Sequence, residues 1–434
     1  MTVCKFGGSS VADAAQIRKV KAIIDSDKKR NVLVVSAPGK RNKEDEKITD
    51  LLYRCNEMVQ KGESCKGVFS SIQKRFLSIA DELKIDSKAL LMQLEEIRQH
   101  IDAGRGADYA ASRGEYLSAF IISQYLDFEF IDAADCIVIN SDGTVNPFSY
   151  DKIHMLVDNS NKRGFVFPGF YGSTKDGIIK TFTRGGSDIT GSVVARAVNA
   201  ELYENWTDVS GFLSADPRIV EDAKTIETIS YNEVRELSDY GASVFHEEAI
   251  APVVKVGIPI NIKNTNRPED KGTLITPTAE AEKLAGVSAK GGLSRIKIRK
   301  LMLFKKQGMR HALLTMLHIF GIRPSFSLFG IDSIVWFYDT KMASESILDA
   351  MCERLKSEFE LDEVTVDHGH AILGVVGSSV LEDGTYIKAA KALSDSSVKV
   401  SFLNYGASDV SYSFGIRDED RMRAVRVVYD ALFR

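Results

Sequence analysis

The feature that most limits what this chain can become is six residues long and follows its first four: Lys5-Phe6-Gly7-Gly8-Ser9-Ser10. Val3, Cys4 and Phe6 read as the end of a buried strand, the glycines let backbone approach a ligand, and Val11 onward has helical periodicity with Asp13 in its first turn. A strand, a glycine turn and a helix start direct free N–H groups and a positive dipole end at one spot. That is an anion site, and Lys5 adds a full charge where a transferring phosphoryl group would sit. Glycine pairs in such turns are common, so the rest of the chain must show what this one serves.

A length of 434 residues calls for two or three domains. Hydrophobic content of 44% and charged content of 27% place the chain among soluble globular proteins, and a net charge of −4 gives no general pull toward nucleic acid or anionic membrane. The five cysteines (Cys4, Cys55, Cys65, Cys136 and Cys352) are odd in number, widely spaced and lack a C-x-x-C pair. They read as reduced thiols in a cytoplasmic protein, with no metal site. No signal segment precedes the Lys5 strand, and no run approaches the roughly 18 apolar residues of a membrane span.

The first half alternates strands and helices, which predicts an α/β fold with a mostly parallel sheet. Asn31 to Ala37 is a continuous apolar run ending in small residues, as in a strand buried on both faces whose carboxyl end lines a cleft. Lys40 to Lys47 reads as a solvated, mobile loop, or as a lid over nucleotide. Ile48 to Ile101 is expected to be mostly helical, with Phe69, Ile72, Phe76 and Ile79 as core. Ser112-Arg113-Gly114-Glu115 opens an apolar helix, with Glu115 as a first-turn acid or as a carboxylate for a substrate ammonium. Further on, a strand runs into Arg184, a second glycine pair, and Ser187-Asp188 at the start of a helix reaching Ala197. Asp188 suits a helix cap, and Arg184 is a planar fork fitted to carboxylate or phosphate. The next strand, Leu202 to Trp206, leads to Thr207-Asp208 and then to Asp216-Pro217-Arg218, where proline fixes the turn carrying Arg218.

Taken in order, these motifs make the chain resemble aspartate kinases of the amino-acid kinase superfamily. Lys5 to Ser10, Val35-Ser36-Ala37, Ile48-Thr49-Asp50-Leu51-Leu52, Ser112 to Glu115, Arg184 to Asp188, Trp206-Thr207-Asp208 and Asp216-Pro217-Arg218 all match. The resemblance implies that Lys5, Gly7, Gly8 and Ser9 handle ATP phosphates and the transferred group. It implies that Ser36, Thr49, Glu115, Arg184, Ser187 and Asp188 hold L-aspartate, and that Thr207, Asp208, Asp216 and Arg218 hold the nucleotide. Lys5, Arg184 and Asp188 would be the catalytic set, and Mg²⁺ would be held mainly by ATP oxygens and water. Ser243 stands where relatives usually have lysine and Leu213 where tyrosine is common. These departures admit an alternative, a catalytically weakened relative serving as an amino-acid-sensing regulatory subunit.

The carboxyl-terminal third contains an internal repeat. Ser325-Phe326-x-x-Phe329-Gly330 recurs as Ser401-Phe402-x-x-Tyr405-Gly406, an offset of 76 residues shared by Gly308 and Gly384 and by Trp336 and Tyr412. Each copy reads as a small α+β sandwich. This resembles the paired ACT domains of aspartate kinases, with copies at about 301–366 and 370–434 and the Arg295–Arg299 strand completing the second. The implied layout is a catalytic domain over 1–285 and a regulatory pair over 294–434. An amino-acid effector, lysine being one candidate, and a homodimer formed through the ACT domains follow from the resemblance. Arg295 to Lys300, with alternating charge, reads as a strand with an exposed face, and His368-Gly369-His370 as a loop before a strand.

Overall fold

The computed structural model describes residues 1–183, 185–242, 247–278, 284–305, 307–381 and 384–434. They divide into two compact units. One is Met1–Leu213 with Thr225–Val234 and Ser243–Ala281; the other is Ser214–Lys224 with Arg235–Ala242 and Glu282–Arg434.

The first unit holds strands β1 (Thr2–Phe6), β2 (Arg30–Val35), β3 (Glu129–Phe130), β4 (Phe165–Pro168), β5 (Tyr171–Ser173), β6 (Ile179–Thr181), β7 (Leu202–Thr207), β8 (Thr228–Ser230), β9 (Ile260–Asn264) and β10 (Thr273–Thr276). Eight form one sheet in the order β3-β4-β2-β1-β7-β9-β10-β8, and β5 and β6 make a separate hairpin. Neighbours in the sheet run parallel except β9 and β10. β4 throughout and β2 from Val32 to Val35 are apolar and buried, because helices cover both faces, whereas β1 and β7 carry the buried polar residues Lys5, Glu204 and Asn205.

The Ala14–Asp25 helix begins at Asp13, whose side chain accepts the Gln16 N–H at 2.9 Å. Asp13 is therefore the N-cap, a contribution of about 1 kcal/mol, and not a first-turn residue. Ile17, Val20, Ile23 and Ile24 form its buried stripe. The long helical stretch resolves into Ile48–Gln60, Lys66–Glu82 and Ser87–Asp102. Its breaks need no proline, since Gly62 and Lys84 turn the chain through left-handed conformations. Phe69, Ile72, Phe76 and Ile79 join one core with Leu33, Val35, Leu52 and Leu117.

The second unit holds β11 (Gly286–Arg299), β12 (Phe326–Phe329), β13 (Ser333–Asp339), β14 (Glu363–Val376), β15 (Phe402–Asn404) and β16 (Ser411–Arg417), an antiparallel sheet ordered β12-β13-β11-β14-β16-β15. Helices Met309–Ile319 and Thr385–Asp395 occupy equivalent places in the two ACT-like copies, as do Glu345–Phe359 and Arg421–Phe433. The copies share strands. Arg295–Arg299 pairs with Ser333–Phe337 and Glu363–Asp367 in the first copy, whereas Gly286–Lys290 pairs with Ile372–Val376 in the second. The exchange thus lies upstream of the Arg295–Arg299 stretch. His368-Gly369-His370 lies inside β14 and not in a loop before it; Gly369 takes a φ of 74° at the step between copies. Phe326 and Phe402, matched by the repeat, stack at 4.9 Å.

Candidate active site

Parallel pairing fixes what meets at the carboxyl edge of the first unit's sheet. Phe6 aligns with Val35 and Trp206, Val35 with Pro168, and Thr207 with Asn264. The residues following these positions (Gly7, Ser36, Gly169, Asp208 and Thr265) leave from one edge, where ligands bind in open α/β sheets.

The glycine turn is tied down from both sides. Gly7 N–H donates to the Trp206 carbonyl at 3.0 Å, and Gly39 N–H donates to the Gly8 carbonyl at 2.8 Å. A Cβ on Gly8 would lie 2.9 Å from the Ala37 carbonyl oxygen, and one on Gly39 would lie 2.8 Å from the Gly8 carbonyl carbon. Only glycine at both positions allows this approach. The turn continues as a short 3-10 segment, Gly8–Val11, so the α-helix dipole begins later than the sequence suggested. Ser9 is exposed, while Ser10 is buried with its hydroxyl 2.7 Å from that of Thr265.

Lys5 lies on β1 opposite Asn205 of β7, and a Cβ added to Gly7 would sit 3.7 Å from its amine. The amine is 2.5 Å from Asp188, with the two side chains 9% and 17% exposed. Asn205 accepts from Lys5 at 3.3 Å and donates to Asp188 at 2.9 Å. Asp188 lies in the first turn of the Gly186–Ala197 helix. Ser187 packs where a Cβ on Gly169 would fall, and Gly186 crowds Phe170, a non-glycine residue held at a φ of 75°. A strained backbone against the second glycine pair is typical of a functional turn. Arg184 lies outside the described residues, as do Ser243 and His246.

Glu115 is in the interior of the Ala107–Leu126 helix and not in its first turn. Gly114 explains the placement, since a Cβ there would lie 2.7 Å from that of Ala37, drawing the helix against the end of β2. Glu115 is 5% exposed; burial pushes its carboxyl up to about 8 although the Ala37 N–H stabilises the charged form, and its Oε2 has no partner among the described residues. Arg113 is buried among the rings of Tyr109, Tyr116 and Tyr171, 4.6 to 5.0 Å away. Ser36 and Thr49 are half-buried beyond β2 and in the first turn of the Ile48–Gln60 helix. Thr207 donates to Asp208 at 3.1 Å, and Asn264 donates to the Asp208 carbonyl at 3.2 Å. Asp216 and Arg218 fall in the second unit, where the 86%-exposed Arg218 side chain pairs with Asp216 at 2.6 Å.

Sequence reasoning missed Asn205, Asn264 and Arg75. For Arg75 a signal was present, an arginine at helical spacing between Ile72 and Ile79.

A profile of the amino acid kinase family matches residues 1–264. Aspartokinase 3 of Bacillus subtilis (strain 168) is 34% identical over the whole of this chain and 99% of its own length. The chain belongs to the amino acid kinase family, in its aspartate kinase branch. Clostridium acetobutylicum aspartate kinase, reported as an allosteric enzyme, is similar at 43% identity with a TM-score of 0.94, both chains covered completely. E. coli aspartokinase III shares the fold at 23% identity and a TM-score of 0.79 in its T-state complex with lysine and aspartate, both chains again covered completely; an R-state structure of that enzyme holds aspartate and ADP. As an aspartate kinase the chain is a phosphotransferase. Among its described residues no helix is long and apolar enough to cross a membrane.

Proposed function

We propose that this enzyme moves the γ-phosphoryl group of ATP to the side-chain carboxylate of L-aspartate, giving 4-phospho-L-aspartate, in the cytoplasm and at the head of lysine, threonine and methionine synthesis. The observation that carries the reading is the buried Lys5–Asp188 pair beside the Gly7-Gly8 turn, with Glu115 Oε2 left without a partner among the described residues.

The acceptor carboxylate is already ionised at neutral pH, so no base is needed. The barrier is repulsion between two anions, and fixed cations and backbone N–H groups must offset it through positioning. Lys5, braced by Asp188 and Asn205, faces the transferred group, and Gly7, Gly8 and Ser9 supply backbone to the phosphates. Glu115 with Asp188 takes the α-ammonium of aspartate; Ser36, Thr49 and Ser187 line its side chain, and Arg184 clamps its α-carboxylate. Thr207, Asp208, Asp216 and Arg218 are assigned to the nucleotide from the family resemblance. Mg²⁺ enters with ATP as part of the substrate.

Catalysis occupies the 1–285 part, and the ACT-like pair over 294–434 takes an amino-acid effector, lysine being the first to test, and joins two copies into a dimer. A hydroxamate assay with ATP, Mg²⁺ and a panel of amino acids tests the reading. Acyl phosphate formed with aspartate alone supports it, and none with aspartate overturns it.

A further inference from the structure

The Pro38–Lys47 segment has the composition of a free loop, yet a buried arginine fastens it from beneath. Arg75, in the middle of the Lys66–Glu82 helix, is 6% exposed. Its Nη1 donates to Asp45 Oδ2 at 2.8 Å and to the Glu46 carbonyl at 3.1 Å, and its Nη2 donates to the Ala12 carbonyl at 3.1 Å and to the Gly39 carbonyl. Arg41 grips the same Asp45 carboxylate through Nε at 2.9 Å and Nη2 at 3.0 Å. The fork therefore joins three pieces of backbone: the residue after the Gly8–Val11 turn, the residue backed against Gly8, and the residue two before the Ile48–Gln60 helix that carries Thr49.

We propose that Arg75 is a positioning residue for phosphoryl transfer, locking the phosphate turn to the acceptor loop without itself touching either substrate. The proposal rests on the function given above. In-line transfer requires the phosphoryl donor and the acceptor carboxylate to be held within a fraction of an ångström of each other, and a displacement of about 1 Å can cost about a hundredfold in rate. The Gly7-Gly8 turn and the Ser36–Thr49 segment reach the cleft on different stretches of chain. The Gly8–Gly39 hydrogen bond joins them at one point, and Arg75 converts that single tie into a rigid frame. Lysine could not replace it, because an ammonium has no planar fork to span Asp45 and three carbonyls at once.

The test uses the full chain with Arg75→Lys, Arg75→Met and, as a variant at a partly exposed residue, Asp45→Asn. Expected is a fall in kcat of about tenfold for Arg75→Lys and Asp45→Asn and about a hundredfold for Arg75→Met. ATP dissociation constants, measured by titration calorimetry, should stay within about twofold of the parent, a split that plain unfolding would not give. Amide hydrogen exchange over 39–46 should quicken in each variant while exchange in β1 and β7 stays unchanged. Parent-like kcat in all three variants, or equal losses in ATP affinity and kcat, would overturn the proposal. Should the parent itself make no acyl phosphate from aspartate, the functional reading falls, and the exchange data still decide whether Arg75 holds the loop. Should Arg75→Met fail to fold, Arg75→Lys and Asp45→Asn decide.

Discussion

The Lys5 amine and the Asp188 carboxylate lie 2.5 Å apart, bridged by the Asn205 side chain from the neighbouring strand. A mostly buried pair of this kind is costly to break from one side, by about 3 kcal/mol, because the remaining charge is stranded. Lys5→Met should therefore lower both Tm and kcat, the latter by at least about a thousandfold as a developing charge loses its cation. Lys5→Met with Asp188→Asn should regain most of the Tm and none of the activity. Calorimetry and the hydroxamate rate separate the two effects, and a double variant with restored rate would remove Lys5 from the chemistry.

Glu115 predicts a pH dependence with a definite sign. Its carboxyl rises from an ordinary 4.5 to about 8 on folding, so the stability it contributes is complete below pH 4.5 and is lost as pH rises to 8. Glu115→Gln should flatten that decline in a Tm series from pH 5 to 8.5. An ammonium beside the carboxylate favours its charged form, so binding of aspartate below pH 8 should release a proton. The aspartate KM should then rise by up to about tenfold per unit as pH falls from 8 toward 6. In Glu115→Gln it should be higher and nearly level with pH.

Glycines here divide by what surrounds them. Gly8→Ala or Gly39→Ala forces atoms to 2.8–2.9 Å and should cost about a hundredfold in kcat, since the turn and the loop can separate only by moving the site. Gly67, in the first turn of the Lys66–Glu82 helix, has nothing within 4 Å, and Gly67→Ala should raise stability by about 0.5 kcal/mol with unchanged turnover. Parallel Tm and rate measurements on the three variants check the contrast.

The stacked Phe326 and Phe402 rings join the two ACT-like copies at matched positions. A double-mutant cycle with alanine should return a coupling of about 1 kcal/mol in the unfolding free energy. Additive single effects would show that the rings merely lie side by side. The same variants, assayed for rate against lysine concentration, report whether the junction carries an effector response.

Much of this was legible in the residues. Apolar runs ending in small residues gave the parallel strands, the glycine pairs gave both turns, and the Ser325/Ser401 repeat gave the paired sandwiches. What escaped depends on packing between distant stretches. Glu115 looked like a first-turn acid because the apolar run begins only after it, whereas the helix already starts at Ala107 and Gly114 lets it pack against Ala37. The Lys40–Lys47 charges are solvated as read except for Asp45, whose fastening escaped notice because its partner, Arg75, lies 30 residues away along the chain. Asn205 became legible only through register with Lys5. Local propensity has no access to such pairings.

Residues 286–299 and 363–376 each run through both ACT-like copies, so neither copy owns a complete sheet. Severing the chain between them would leave two fragments with raw edges in place of two small domains. A pull on either half is therefore a pull on a common cord.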